Sequence, residues 1–334
     1  MGHILEDAYM ELDTEEIIAI MTLSEQLLAY ELHTNQDAFC IKAKELAMQL
    51  PKRVIERLHT FIANNKSCLL FRFNITHVPI PHTPLSNTQF IGGKTLIACI
   101  QSILVSVTGD IIGYEAEGCG RIFQDIVPIP SMCKKQSSQG SGIELEIHTE
   151  QAFSDLRPDI LSLACLRGNS TALTYILPLN DILINLDWKE IEMLKEPLWM
   201  IGVDLSFRHC IDDCIRGPVS ILRDTIEAVH ALENGTITQQ LLVFDQDLMK
   251  GITPDAEELR KKIIDLYYIH RAAHNMCPGD IILINNRCTL HGRSPFTASY
   301  DGTDRFLVRC FATLEYEKYK AGLLENRVVQ ACLS

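Results

Sequence analysis

The chain is expected to fold as an α+β protein: a double-stranded β-helix, or jelly roll, with N-terminal helices packed on its outer sheet. Two observations lead there. Up to about residue 110 apolar side chains recur at helical spacing, and from residue 111 the pattern shifts to short strand-like runs divided by Gly, Pro, Asp and Asn. The outer face of such a sheet needs a cover. The helical layer (1–110) and the jelly-roll core (111–315) are therefore read as a single domain spanning 1–334.

Each element has its own signal. Asp13-Thr14-Glu15-Glu16 opens the first helix, with Thr14 or Asp13 as N-cap ahead of Ile17, Ile20, Met21, Leu23 and Leu27. A second helical pattern covers 37–64 and is broken near Pro51. Residues 68–73 read as a short strand, 75–87 as a Pro-rich loop and 94–107 as another helix. Residues 143–147 alternate cleanly between apolar and polar, and 279–284 form a second strand-like run. The segment 187–229, which contains Cys210 and Cys214, is long for a hairpin connection and is expected to be an inserted lid. Thr253-Pro254-Asp255 starts a helix expected to run to about His274.

Composition narrows the class. With 47% apolar and 22% charged residues, the chain can bury a sizeable core, and wholesale disorder is excluded. A net charge of −13, with no basic stripe interleaved with aromatics, argues against nucleic acid and suits a small cationic partner. No apolar stretch approaches a membrane span. The first seven residues turn acidic at once instead of forming a basic-then-apolar leader, and Glu6 stands where myristoylation wants Ser or Thr. The 12 cysteines are accordingly read as mostly buried, reduced thiols of a cytoplasmic protein. Cys210 and Cys214 do not form C-x-x-C, and Cys165 and Cys310 lie in apolar runs. Nothing in the chain speaks to oligomeric state.

The chemistry concentrates at His148-Thr149-Glu150, His291 and Arg305. Residues two apart on a strand point to the same side, so His148 and Glu150 can grip one ion at the end of the 143–147 strand. His291, just past 279–284, is expected to bring a third ligand from a non-adjacent strand. Two imidazoles and one carboxylate are what a non-haem Fe(II) needs on one face, with positions left open for reactants. Arg305 would return to the same pocket on a following antiparallel strand and pair with a dicarboxylate. Taken singly, an H-x-E arises often by chance, and a histidine after a strand is ordinarily structural. Their combination is what points to metal.

Residues 145–153, with Arg157-Pro158-Asp159 and Cys165-Leu166-Arg167, resemble the clavaminate-synthase-like group of Fe(II)/2-oxoglutarate oxygenases. So do 278–286, His291-Gly292-Arg293 and 304–309. The resemblance runs from about 113 to 311 and supports a cupin-like jelly roll. It implies Fe(II) on His148, Glu150 and His291, with 2-oxoglutarate as co-substrate alongside O2. The distal carboxylate of 2-oxoglutarate would pair with Arg305, helped by a hydroxyl for which Thr174 is the candidate. A substrate carbon is then hydroxylated as 2-oxoglutarate yields succinate and CO2. Halogenases of this type need a small residue in place of the carboxylate, so Glu150 favours hydroxylation and leaves desaturation open.

The group includes hydroxylases of free arginine, lysine and asparagine. Arg309, four residues beyond Arg305 and on the same strand face, resembles the arginine that holds a substrate α-carboxylate; the plain alternative is a surface arginine. Asp245 and Asp247 put two carboxylates on one face, as in arginine-hydroxylating members, or simply form a solvated turn before a helix. Glu117 is a candidate for the amino-group end. His77, His82, His209, His270 and His274 are read as structural; the last two, one helical turn apart, lack the Glu of H-E-x-x-H. Gly140-Ser141-Gly142 is read as a turn, since no P-loop Lys follows it. The expected partner is a free basic amino acid, L-lysine hydroxylated at C4 or C3, with L-arginine 3-hydroxylation as the alternative. A zinc hydrolase on the same ligands and a non-catalytic jelly-roll binding protein are the readings from other classes.

Overall fold

Alternation along the central strands sends side chains to two opposite sides, and each side has a separate cover. The structure is a computed structural model describing residues 8–30, 35–208, 214–224, 240–319, 323–324 and 327–330. In chain order the strands are β1 (Cys68–Arg72), β2 (Asp110–Tyr114), β3 (Phe123–Ile126), β4 (Leu145–His148), β5 (Ile160–Arg167), β6 (Leu173–Pro178), β7 (Trp199–Gly202), β8 (Ile215–Val219), β9 (Leu222–Asp224), β10 (Gln240–Leu242), β11 (Met249–Gly251), β12 (Ala272–Asn275), β13 (Asp280–Asn285), β14 (Thr289–Arg293), β15 (Phe306–Thr313), β16 (Leu323–Leu324) and β17 (Val328–Val329). The larger sheet runs β1-β13-β5-β15-β2-β17-β16, with β3 also paired to β15, and the smaller runs β12-β6-β14-β4.

Between the sheets lie Leu70, Ile112, Leu161, Ile282, Leu307 and Phe311 from the larger one, against Ile176 from the smaller, whose Ile147 and Leu290 have the opposite phase to His148 and His291. The opposite phase of the larger sheet, with Leu69, Phe71, Ile281, Leu283, Val308 and Cys310, packs into a second cluster with the N-terminal helices. Burial on both faces is why these strands read as continuous apolar runs. The cover consists of helices Thr14–Leu28, Gln36–Ala47, Lys52–Ala63 and Leu96–Thr108. Asp13 caps the first through a reciprocal box with Glu16, and Pro51 sits at the N-cap of the third, where the helical pattern breaks. Gln101, on the most deeply buried helix, donates to Ser162 Oγ (3.0 Å) and to the Val308 carbonyl (3.1 Å), pinning the helical layer to β5 and β15.

Three expectations need correction. The helix opened by Thr253 ends earlier than expected: it spans Pro254–His270, and β12 begins two residues later. His274 therefore lies on a strand, with Nε2 3.0 Å from Asp280 Oδ2, and the one-turn His270/His274 pairing does not exist. Arg271 makes the break, stacking 3.7 Å from the Tyr175 ring centroid and donating to Glu144 Oε1 at 2.6 Å. Secondly, β14 is not remote from β4 but its hydrogen-bonded neighbour, and His291 is opposite His148 in the register. Thirdly, Arg305 is not on the strand that carries Arg309 but just before it, since β15 starts at Phe306 and belongs to the facing sheet. The 187–229 insert is built in part from the helix Trp188–Lys195, β7, β8 and β9. Its residues 209–213 and 225–229, with His209 and Cys210, lie outside the described residues. Cys165, Cys310 and Cys214 are free thiols, the first two buried.

Candidate active site

The smaller sheet builds the metal-binding end. His148 closes β4, and its Nδ1–H donates to the Glu146 carbonyl at 2.7 Å, which leaves Nε2 for an ion. His291, across the register on β14, places its ring centroid 4.4 Å from that of His148. Glu150 lies two residues past the strand end in a turn that continues through Gln151 at φ +51°. Candidate ligand atoms of His148, Glu150 and His291 all lie within 4.8 Å of one another. His291 Nε2 stands 3.5 Å from Glu150 Oε1, yet neither His291 ring nitrogen has a hydrogen-bond partner among the described residues. A buried imidazole with both nitrogens orphaned is costly unless something else binds it. Burial, reinforced by His148, lowers the His291 pKa to about 4 and keeps the ring neutral. Burial would push the Glu150 carboxyl up, but Arg309 and the two histidines hold it down, at about 2. A neutral imidazole beside an ionised carboxylate is the donor state a divalent cation requires, so these residues fit the iron that the sequence implies.

The triad opens into a cavity of about 860 Å³, large enough for two small organic acids. One end is cationic. Arg305, 5% exposed, lies just before β15 and has no hydrogen-bond or ion-pair partner among the described residues. Its guanidinium lies over the Phe296 ring, 5.9 Å from the centroid. Burial lowers the Arg305 guanidinium to about 10, and burial with Arg305 nearby lowers Arg293 to about 9. Arg293 is nonetheless satisfied by the carbonyls of Ser294, Ser138 and Ile143. Thr174 pairs with Arg293 across β6 and β14, and its buried hydroxyl also lacks a hydrogen-bond partner among the described residues. An unpaired buried guanidinium in one cavity with an orphaned hydroxyl can receive a carboxylate.

The other end is acidic. Arg309 takes the inward phase of β15 with Leu307 and Phe311, so it is not a surface arginine. It is held by Glu117 and Gln124 and lies 3.5 Å from Glu150 Oε1. Glu117 also accepts from Gln151 Nε2 at 3.2 Å, and burial raises its pKa against the pull of Arg309. The backbone of Asp245 forms an isolated antiparallel β-bridge with that of His148, and its carboxylate accepts from the Leu248 amide at 2.7 Å; it is half-buried, and its segment leads into β11 rather than a helix. Asp247 is exposed but lines the same cavity. Sequence reasoning missed Asp204, which reaches the cavity from the insert after β7. Burial raises both Asp204 and Asp245 to about 6. Missed too was Gln124, although the alternation of β3 puts it on the inner side, between the outward Phe123 and Asp125.

The family model of the taurine catabolism dioxygenase TauD, TfdA family matches residues 217–311. Over 334 residues the chain is 40% identical to an L-lysine 3-hydroxylase of Catenulispora acidiphila, covering 98% of this chain and 90% of that one. It is 27% identical over 303 residues to clavaminate synthase 2 of Streptomyces clavuligerus, covering 89% of each. The fold superposes on an asparagine oxygenase crystallised with Fe(II), 2S,3S-3-hydroxyasparagine and succinate. That match has a TM-score of 0.86 at 23% identity and covers 97% of this chain and 99% of that one.

Proposed function

The chain belongs to the clavaminate-synthase-like Fe(II)/2-oxoglutarate-dependent oxygenases, and we propose that it hydroxylates free L-lysine at C3. Membership sets aside the zinc hydrolase and the non-catalytic binding protein. The observation that carries a basic substrate is the cluster of Asp204, Asp245 and Asp247 in one cavity with the His–Glu–His set. The 40% identity to an L-lysine 3-hydroxylase favours lysine over arginine and C3 over C4.

In this reading His148, Glu150 and His291 would hold the iron, which with 2-oxoglutarate and O2 supplies the oxidising chemistry and leaves succinate and CO2. Arg305 would take the distal carboxylate of 2-oxoglutarate, with the Thr174 hydroxyl as its second contact. Arg309 would orient the α-carboxylate of lysine, and Glu117, already paired with that arginine, its α-ammonium. Asp204, Asp245 and Asp247 would receive the side-chain ammonium. Fixing both ends of the amino acid limits which carbon can stand beside the metal.

Screening the common amino acids for substrate-dependent succinate release, with Fe(II) and 2-oxoglutarate supplied, tests this. L-lysine is expected to give the fastest turnover and a 3-hydroxy product by NMR. Faster turnover of L-arginine would move the assignment to the guanidinium substrate, and a 4-hydroxy product would correct the position.

A further inference from the structure

Glu150 has left the sheet by the time it reaches the cavity, since β4 ends at His148 and Gln151, next after Glu150, is left-handed. A ligand on such a turn needs something other than a ladder to fix it. The side chain of Asn286 supplies that. Its Oδ1 accepts from the Glu150 amide at 2.7 Å, and its Nδ2 donates to the Glu150 carbonyl at 3.2 Å. The same Nδ2 donates to the Pro158 carbonyl at 2.7 Å. One side-chain amide thus satisfies both main-chain groups of Glu150, as a neighbouring peptide in a sheet would. Asn286 is 0% exposed, and its own amide donates to the Asp159 carbonyl at 2.9 Å. It lies in the turn between β13 and β14, the strand that carries His291.

We infer that Asn286 is a positioning residue for the metal centre, locking the backbone of Glu150 to the hairpin that presents His291. The inference rests on His148, Glu150 and His291 being the ligands. Groups that orient ligands without touching the metal typically change metal affinity by about 10–100-fold when lost. Asn285 provides a matched control. It is also buried in the same hairpin, but its Nδ2 donates to Asn65 Oδ1 at 2.9 Å and it makes no side-chain hydrogen bond to Glu150.

The test is anaerobic Fe(II) titration in the presence of 2-oxoglutarate, read from the charge-transfer absorption of the complex, with thermal unfolding measured alongside. Asn286→Ala is expected to weaken Fe(II) binding on the order of tenfold or more and to shift the absorption band. Asn285→Ala should lose stability while keeping wild-type affinity and spectrum. Asn286→Asp keeps the bond from the Glu150 amide but loses both donations, so it should fall between; it decides the question if the alanine variant does not fold. Wild-type Fe(II) affinity and band in a folded Asn286 variant overturn the inference, as does an equal loss of affinity in Asn285→Ala. Glu150→Ala separates the two claims. If it too binds Fe(II) as the wild type does, the ligand assignment fails; if it loses iron while Asn286 variants do not, only the positioning role fails.

Discussion

The two ends of the active-site cavity are built in opposite ways. At one end Arg305 is buried just before β15 with no counter-ion among the described residues, near an Arg293 held by backbone carbonyls. At the other, carboxylates outnumber their partners, and most of them come from connections: Asp204 follows β7, while Asp245 and Asp247 precede β11. The contrast matches what each end has to do. A co-substrate shared across a family can be met by a buried residue at the edge of a rigid strand, whereas substrate choice is more easily changed on loops. The charge states agree, for burial lowers Arg305 to about 10 and raises Asp204 and Asp245 to about 6. Each end is under electrostatic stress that a ligand of opposite charge relieves.

Replacing the residues between the ends should have the largest effect, because both depend on the metal. His291→Ala or His148→Ala is expected to abolish iron binding and turnover while circular dichroism and thermal unfolding remain close to wild type. Activity at the wild-type level in either variant would remove that residue from the ligand set. Next comes Arg305→Ala. Losing one side of a buried charge pair costs about 3–5 kcal/mol, which corresponds to roughly a hundredfold or more in the 2-oxoglutarate requirement. An unchanged requirement would mean that another group holds the distal carboxylate.

Asp204→Asn probes the acidic end singly. A charged hydrogen bond contributes about 1.5–3 kcal/mol, so apparent lysine affinity should drop on the order of tenfold or more. Equal affinity would place Asp204 outside the substrate's reach. The smallest effect expected is that of Thr174→Val, which removes one neutral donor to 2-oxoglutarate. A loss of about 0.5–1.5 kcal/mol is roughly a two- to tenfold rise in its KM, with lysine binding unaffected.

Legibility in the sequence follows the same division. On β15, period-two phase was enough to turn Arg309 inward between Leu307 and Phe311, whereas Glu150, expected on the strand face of His148, has already left β4. The helical layer was legible from spacing and caps, as Asp13 and Pro51 show. Asp204 was not, because a residue in a connection has no periodic neighbours to give it a phase. Nor was the grip of Asn286 on Glu150, which joins residues 136 positions apart through a side-chain amide. The helix expected to reach His274 fails for a tertiary reason. No Gly or Pro stands just after His270, but pairing of β12 with β6 and the stacking of Arg271 among Tyr175, Tyr267 and Tyr268 prevail over local propensity.

The claim that the two ends act on different ligands is tested most directly by anaerobic titration of Asp245→Asn/Asp247→Asn, followed at the iron–2-oxoglutarate chromophore. The account predicts that the L-lysine midpoint rises on the order of tenfold or more per carboxylate, while the 2-oxoglutarate midpoint stays at its wild-type value. A lysine midpoint equal to wild type, or equal losses for both ligands, would contradict it.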